Sequence, residues 1–161
     1  STVENDQFIK GLIKGNSEFH FPKKSKEVLL ISNGTGIAPF LGMIDENNTK
    51  TKTHLFWGGR TSESFELYKD HISTYLKNGK LSSFYNGYSQ EGLEKTYVQD
   101  VLNEQQDIVR SALKNKGCMY ICGSIAMMNE VLKIIELIAN NELGISAETL
   151  KKEKRIKTDC Y

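Results

Sequence analysis

The residues best suited to chemistry begin at Ser32-Asn33-Gly34-Thr35-Gly36. They follow an apolar run, Val28 to Ile31, and lead into Ile37-Ala38-Pro39-Phe40. Two glycines around a threonine let the backbone turn sharply and meet a ligand without Cβ atoms in the way. Pro39 suits the first turn of a helix, where its missing N–H costs nothing. Strand, glycine turn and helix N-terminus together make a ready anion site, because free N–H groups and the helix dipole face the turn. The same residues also suit a tight βα connection in any α/β protein. They form neither a Gly-x-Gly-x-x-Gly fingerprint nor a P-loop, since no Gly-Lys-Ser/Thr follows.

Arginine is the better bidentate phosphate ligand, and this chain uses it sparingly. It occurs only at Arg60, Arg110 and Arg155. Arg60 stands directly after Gly58-Gly59, a second glycine turn closing a second apolar run. Three cysteines, Cys118, Cys122 and Cys160, form no disulfide framework, and a reduced compartment is the simpler expectation. Cys118 and Cys122 fall on one face of one predicted strand. The histidines His20, His54 and His71 sit in unrelated contexts, with no metal-ligand spacing.

Chemistry of this kind needs a scaffold, and 161 residues suit one domain with a real core. A charged fraction of 25% and an apolar fraction of 39% describe an ordinary soluble protein. A net charge of +1 gives no reason to expect nucleic acid or an anionic membrane as partner. No apolar run approaches the roughly 18 residues of a membrane span, and no signal peptide is expected. The chain starts at Ser1 without Met, so a piece of a longer protein is expected.

Strands are expected over 27–31, 54–57, 81–85, 118–122 and 156–161. Helices are expected over 37–45, from an N-cap at Ser62 to residue 77, over 97–116 with a break near Gln105, over 125–140, and from an N-cap at Ser146. The apolar side of the second helix is read as Phe65, Leu67, Tyr68, Ile72, Tyr75 and Leu76. Met128, Val131, Leu132, Ile134, Ile135, Leu137 and Ile138 are read as facing inward from the fifth. Residues 86–95 read as a polar loop. Residues 1–26, with apolar patches at Phe8, Ile9, Leu12 and Ile13, read as an edge strand or a linker from an upstream domain. The alternation argues for an α/β fold of three layers, α/β/α, around a parallel sheet of five strands, with a sixth left open. Ligands in such sheets bind at the C-terminal strand ends, near the switch point. Glycine turns at Gly34/Gly36, Gly58/Gly59, Gly87 and Gly123 fall on that edge.

Five motifs in register carry a resemblance: Gly34-Thr35-Gly36-Ile37-Ala38-Pro39-Phe40, Phe56-Trp57-Gly58-Gly59-Arg60, Tyr97-Val98-Gln99, Tyr120-Ile121-Cys122-Gly123 and the terminal Asp159-Cys160-Tyr161. In order and spacing they resemble the ferredoxin–NADP reductase superfamily. The likeness is strongest to the Rossmann-like pyridine-nucleotide domain of its diflavin branch, the sulfite reductase flavoproteins and NADPH–cytochrome reductases. It runs from about Phe19 to Tyr161.

The resemblance implies an NADP(H)-binding domain over 27–161, with 1–26 as a linker or the tail of an upstream FAD-binding domain. That domain would mainly hold the FAD; this chain alone would bind nucleotide weakly and hold no flavin. NADPH would pass hydride to N5 of FAD, and electrons would leave to an acceptor domain or protein. The expected place is the cytoplasm, or the cytoplasmic part of a larger membrane-attached protein. Gly34, Thr35 and Gly36 would lie beside the nicotinamide half and diphosphate, and Arg60 would contact phosphates. Ser89, Lys95, Tyr97 and Gln99 match the 2′-phosphate site, but Gln90 replaces the family arginine. Gln donates hydrogen bonds without charge, and a charge-assisted bond is worth roughly 1.5–3 kcal/mol. NADPH with weakened discrimination against NADH is therefore expected. Cys122 would orient the nicotinamide and tune the hydride step. Asp159 would stabilise charge beside it, and Tyr161 would stack over the flavin. Met128 and Glu130 would lie near the adenosine end. The family Cys-Gly-Asp reads Cys122-Gly123-Ser124 here.

A non-catalytic nucleotide module that kept the fold would need neither Cys122 nor Asp159 and Tyr161. A flavodoxin-like FMN domain would need a Ser/Thr-rich first loop, which Ser32-Asn33-Gly34-Thr35 poorly supplies.

Overall fold

The computed structural model describes residue 16, residues 18–47 and residues 51–161. The patches at Phe8, Ile9, Leu12 and Ile13 lie outside the described residues. Five strands are described: β1 (Glu27–Asn33), β2 (Lys52–Gly59), β3 (Ser83–Tyr88), β4 (Cys118–Gly123) and β5 (Ile156–Cys160). They form one sheet, ordered β3-β2-β1-β4-β5, with every pair parallel. Six α-helices connect them: α1 (Ala38–Asp45), α2 (Glu66–Lys77), α3 (Val98–Glu104), α4 (Gln106–Lys114), α5 (Ile125–Leu143) and α6 (Ala147–Lys152).

The central strand is the most apolar. Val28, Leu29, Leu30 and Ile31 of β1 are fully buried, as a strand covered on both faces requires. Leu29 and Ile31 point to a core shared with Val101, Leu102, Val109, Val131 and Ile135 of α3, α4 and α5. Val28 and Leu30 point to the other core, with Phe40, Ile44, Ile72 and Tyr75 of α1 and α2. Phe19 and Phe21 complete that second core, and the Tyr120 hydroxyl donates to the His20 carbonyl at 2.7 Å. The chain before β1 is therefore anchored on this domain from Phe19 onward.

Several expectations shift. The third strand starts and ends later than 81–85, and Asn86 and Gly87 belong to it. β3 is an edge strand paired on one side only, so it tolerates polar residues. Gly87 is there for closeness, since a Cβ would lie 2.9 Å from the Thr96 carbonyl oxygen. The helix over 62–77 opens as a 3₁₀ turn, Ser62–Phe65, whose N-cap is Thr61 rather than Ser62. The Thr61 N–H donates to Ser64 Oγ at 3.1 Å. Leu67 is 77% exposed and Leu137 60% exposed, so neither faces the core. On α5 the buried residues are Met127, Val131, Ile135, Ile138 and Ala139. The break near Gln105 separates α3 from α4, and Ser146 caps α6 by accepting from the Thr149 N–H at 3.1 Å.

Candidate functional site

β1 and β4 are neighbours whose following helices leave to opposite faces of the sheet, which makes their ends the switch point. Residues Gly34–Ile37 form a 3₁₀ turn between β1 and α1. Gly34 has φ +54°, the left-handed region that favours glycine. Its carbonyl accepts from Trp57 Nε1–H at 2.9 Å. Gly36 lies so close to β4 that a Cβ would meet the Cys122 carbonyl oxygen at 2.3 Å.

On one side of this turn lies a cleft of about 380 Å³, between the ends of β1 and β2 and the starts of α3 and α5. That is within the usual range for a small-molecule site. Of the residues singled out in the sequence, Gly34, Arg60, Ser89, Tyr97, Gln99 and Glu130 border it. Thr35, Gly36, Gln90, Lys95 and Met128 do not. Gln90 and Lys95 are exposed on the segment that follows β3. Met128 packs against the core, and Met127 takes the cleft position. A wider hollow of about 690 Å³ lies near Lys23, Lys116 and Arg155, at the N-terminal strand ends, away from where such sheets bind ligands.

The three arginines separate by what they already hold. Arg110 pairs with Asp107 and Glu142. Arg155 donates to the carbonyls of Gly117, Ala112 and Leu113 and so closes the C-terminal end of α4. Arg60 has no acidic partner among the described residues and borders the cleft. Glu130, the acid at the cleft, is tied to Lys133 at 2.7 Å. Beyond Arg60, Glu91 faces the start of the 3₁₀ turn Ser62–Phe65; its carboxylate accepts from the Ser62 N–H and, at 2.7 Å, from the Ser62 hydroxyl.

On the other side of the glycine turn, a second group assembles. The register places Trp57, Ser32, Cys122 and Asp159 in one row across β2, β1, β4 and β5. Cys122 is buried, and burial first, then the charge of Asp159, pushes its thiol up to about 11. It is a neutral thiol at physiological pH, suited to contact and orientation and not to nucleophilic attack. Asp159 is exposed and accepts from Asn16 Nδ2 at 3.4 Å. Tyr161 continues β5 by donating its N–H to the Gly123 carbonyl at 3.0 Å, and the residue is 70% exposed. Its hydroxyl lies 2.9 Å from Thr35 Oγ1.

Two residues here were named within their motifs but given no role from sequence. Asn33 and Ser124 face each other across the switch point, and both border the cleft. A serine opening a long apolar helix was the available signal for Ser124, which caps α5 by accepting from Met127 N–H at 3.3 Å. Ser32 is fully buried, and its hydroxyl has no hydrogen-bond partner among the described residues. All three cysteines are free. Among the described residues, no helix is long and apolar enough to cross a membrane.

Comparison with known proteins places this sequence among oxidoreductases. The profile of the oxidoreductase NAD-binding domain matches residues 30–133. The sulfite reductase [NADPH] flavoprotein alpha-component of Buchnera aphidicola is 30% identical, over 99% of this chain and 29% of its own length. The NADPH–cytochrome P450 reductase of Aspergillus niger is 35% identical, over 88% of this chain and 22% of its own. Nitric oxide synthase of Anopheles stephensi is 31% identical, over 100% of this chain and 14% of its own. The chain thus spans less than a third of each of these relatives.

Proposed function

The chain belongs to the oxidoreductase NAD-binding domain family, and on that footing we propose that it presents NADPH to a flavin held by another domain of the same protein. The observation that carries this reading is the two-sided turn Gly34–Ile37, with a donor-lined cleft on one side and the Thr35, Cys122, Asp159 and Tyr161 cluster on the other. The cleft takes the adenosine and diphosphate, and the cluster takes the nicotinamide.

Each residue then has a role its position permits. Arg60, at the cleft edge and without an acidic partner among the described residues, meets phosphate. Ser89, Gln90 and Lys95 read the 2′-phosphate, with Tyr97 and Gln99 beside the adenosine. Glu130, bordering the cleft, and Met128, next to Met127 in the chain, are assigned to the adenosine end. Gly34 and Gly36 keep the turn low enough for the dinucleotide to cross. Cys122 sets the nicotinamide face, Asp159 offers a carboxylate to charge developing there, and Tyr161 covers the flavin edge until nicotinamide enters. Bound NADPH supplies the hydride, and FAD receives it; the chain supplies position and electrostatics. An acceptor domain or protein then takes the electrons, and the cytoplasm is the proposed place.

The test is an anaerobic titration of the full-length protein with NADPH and NADH, read by flavin absorbance. Flavin bleaching by NADPH at lower concentration than NADH is the expected result. A full-length protein without flavin, or one that neither nucleotide reduces, overturns the reading.

A further inference from the structure

The switch point of a doubly wound sheet is a gap, because the two chains leaving it diverge. Here the Asn33 side chain spans that gap. Its Oδ1 accepts from the Ser124 N–H at 2.9 Å, and its Nδ2 donates to Ser124 Oγ at 3.1 Å. A backbone N–H can only donate, so the Ser124 amide fixes which end of the carboxamide is oxygen. The contact is tight: Gly123 has φ +140°, and a Cβ there would lie 2.0 Å from Asn33 Oδ1.

The hydrogen-bond inventory of Ser124 then closes. Its Oγ accepts from Asn33 Nδ2 and again from the Met127 N–H at 3.3 Å. A hydroxyl oxygen has two lone pairs, and both are used. The hydroxyl hydrogen has no acceptor among the described residues, and Ser124 borders the cleft. One hydrogen on Asn33 Nδ2 is also unspent, and Asn33 borders the same cleft.

We infer that Asn33 is a positioning residue that acts through Ser124: by filling its acceptor sites it turns the serine hydroxyl into the cleft as a donor to the dinucleotide's diphosphate. The inference rests on the nucleotide reading above. It gives a role to the position where the family acid is replaced. A carboxylate there would face the diphosphate as a like charge; a serine held as a donor, at the start of the 19-residue α5, meets it with favourable polarity. Asn33 supplies the constraint that an unpaired serine would lack, since a free hydroxyl rotates to suit any partner.

The test is calorimetric titration of the full-length protein with NADP⁺ and with adenosine 2′-monophosphate, which has no 5′-diphosphate. Asn33→Ala and Ser124→Ala are each expected to weaken NADP⁺ by about tenfold, the scale of one hydrogen bond to a charged group. Because one residue acts through the other, the double variant should bind NADP⁺ no more weakly than Ser124→Ala. Ser124→Thr, which keeps the hydroxyl and the cap, should retain the parent affinity. Adenosine 2′-monophosphate should bind all forms alike. Additive losses in the double variant, failure of threonine to rescue, or parallel loss of adenosine 2′-monophosphate overturns the inference. If the parent protein binds NADP⁺ and the variants match it, the clamp falls and the nucleotide reading stands. If the parent binds neither nucleotide, the nucleotide reading falls and the clamp with it.

Discussion

The Thr35 hydroxyl and the Tyr161 phenol meet at 2.9 Å, joining the glycine turn after the first strand to residue 161, the position that follows the last strand. The tyrosine backbone is held as well, through the Gly123 carbonyl. The residue is 70% exposed. A rotation of the ring breaks its one side-chain hydrogen bond, worth about 1 kcal/mol. Tyr161→Ser removes the ring and its contact with Thr35. Steady-state turnover of the full-length protein with NADH should rise in this variant, because nicotinamide no longer displaces an aromatic cover. Unchanged kinetics with both nucleotides would show that Tyr161 does not cover the flavin.

Nucleotide choice should respond at Gln90. The segment after β3 is set by backbone bonds, Ser89 N–H to the Gly59 carbonyl and Gln90 N–H to the Arg60 carbonyl at 2.8 Å, so its course does not depend on the Gln90 side chain. That side chain is exposed, and a longer one fits. Gln90→Arg adds a cation about where the 2′-phosphate would lie. The ratio of kcat/KM for NADPH over NADH should rise by about tenfold, from one charge-assisted bond. Paired kinetics with the two nucleotides measure it, and a parent enzyme already selective by several thousandfold would remove the premise.

Cys122 makes a prediction about pH. Its thiol is pushed up to about 11, so it stays protonated from pH 6 to 9 and adds no inflection to the rate in that range. Iodoacetamide at pH 7 should leave it unmodified, with mass spectrometry of the digested protein as readout. On the proposed reading, Cys122→Ser should keep the fold and slow hydride transfer in anaerobic stopped-flow traces, since the surface offered to the nicotinamide changes while no nucleophile is lost. An inflection near neutrality that vanishes in Cys122→Ser contradicts this.

Ser32 should be a place to gain stability. Its hydroxyl is buried in β1 beside Cys122 and Trp57, with no partner among the described residues. A buried unpaired hydroxyl costs about 1–3 kcal/mol. Ser32→Ala should therefore raise the unfolding free energy by about 1 kcal/mol, after allowing for the small void, in urea denaturation. A loss of that size would show that the hydroxyl is satisfied in solution.

The parallel sheet was legible because β1, β2 and β4 are buried on both faces and read as apolar runs. β3 was placed too early because an edge strand paired on one side can carry Asn86 and Gly87, which local chemistry assigns to a loop. Leu67 and Leu137 were misread because helical periodicity locates a face only as well as its residues respect it, and both lie beyond it in solvent. Arg60 was singled out from its turn, but that Arg110 pairs with Glu142 and Arg155 with Glu153 while Arg60 has no acidic partner among the described residues follows from the fold, and no spacing reveals it. The Asn33–Ser124 bridge joins residues 91 positions apart, and its geometry exists only once β1 and β4 are neighbours.

The other end of the sheet carries a pH dependence of stability. Glu27, buried at the start of β1, accepts from Ser111 Oγ at 2.9 Å and Asn115 Nδ2 at 2.8 Å. Its remaining oxygen faces His54 Nε2 at 3.4 Å, and His54 Nδ1 lies 2.7 Å from Ser83 Oγ. A neutral His54 is best placed with its proton on Nε2, toward the carboxylate, and with Nδ1 accepting from Ser83. Burial lowers the His54 pKa below its ordinary 6.5, and the nearby Glu27 charge offsets that only in part. The unfolded chain therefore binds the proton more readily than the folded one. This contribution is fully present above pH 6.5 and is lost as pH falls through the lowered folded value. Urea unfolding between pH 7.5 and 5 should show stability declining over that interval, and His54→Gln should flatten the decline. An equally steep decline in the variant assigns it to other groups, and a rise on acidification would mean that the pair with Glu27 outweighs burial.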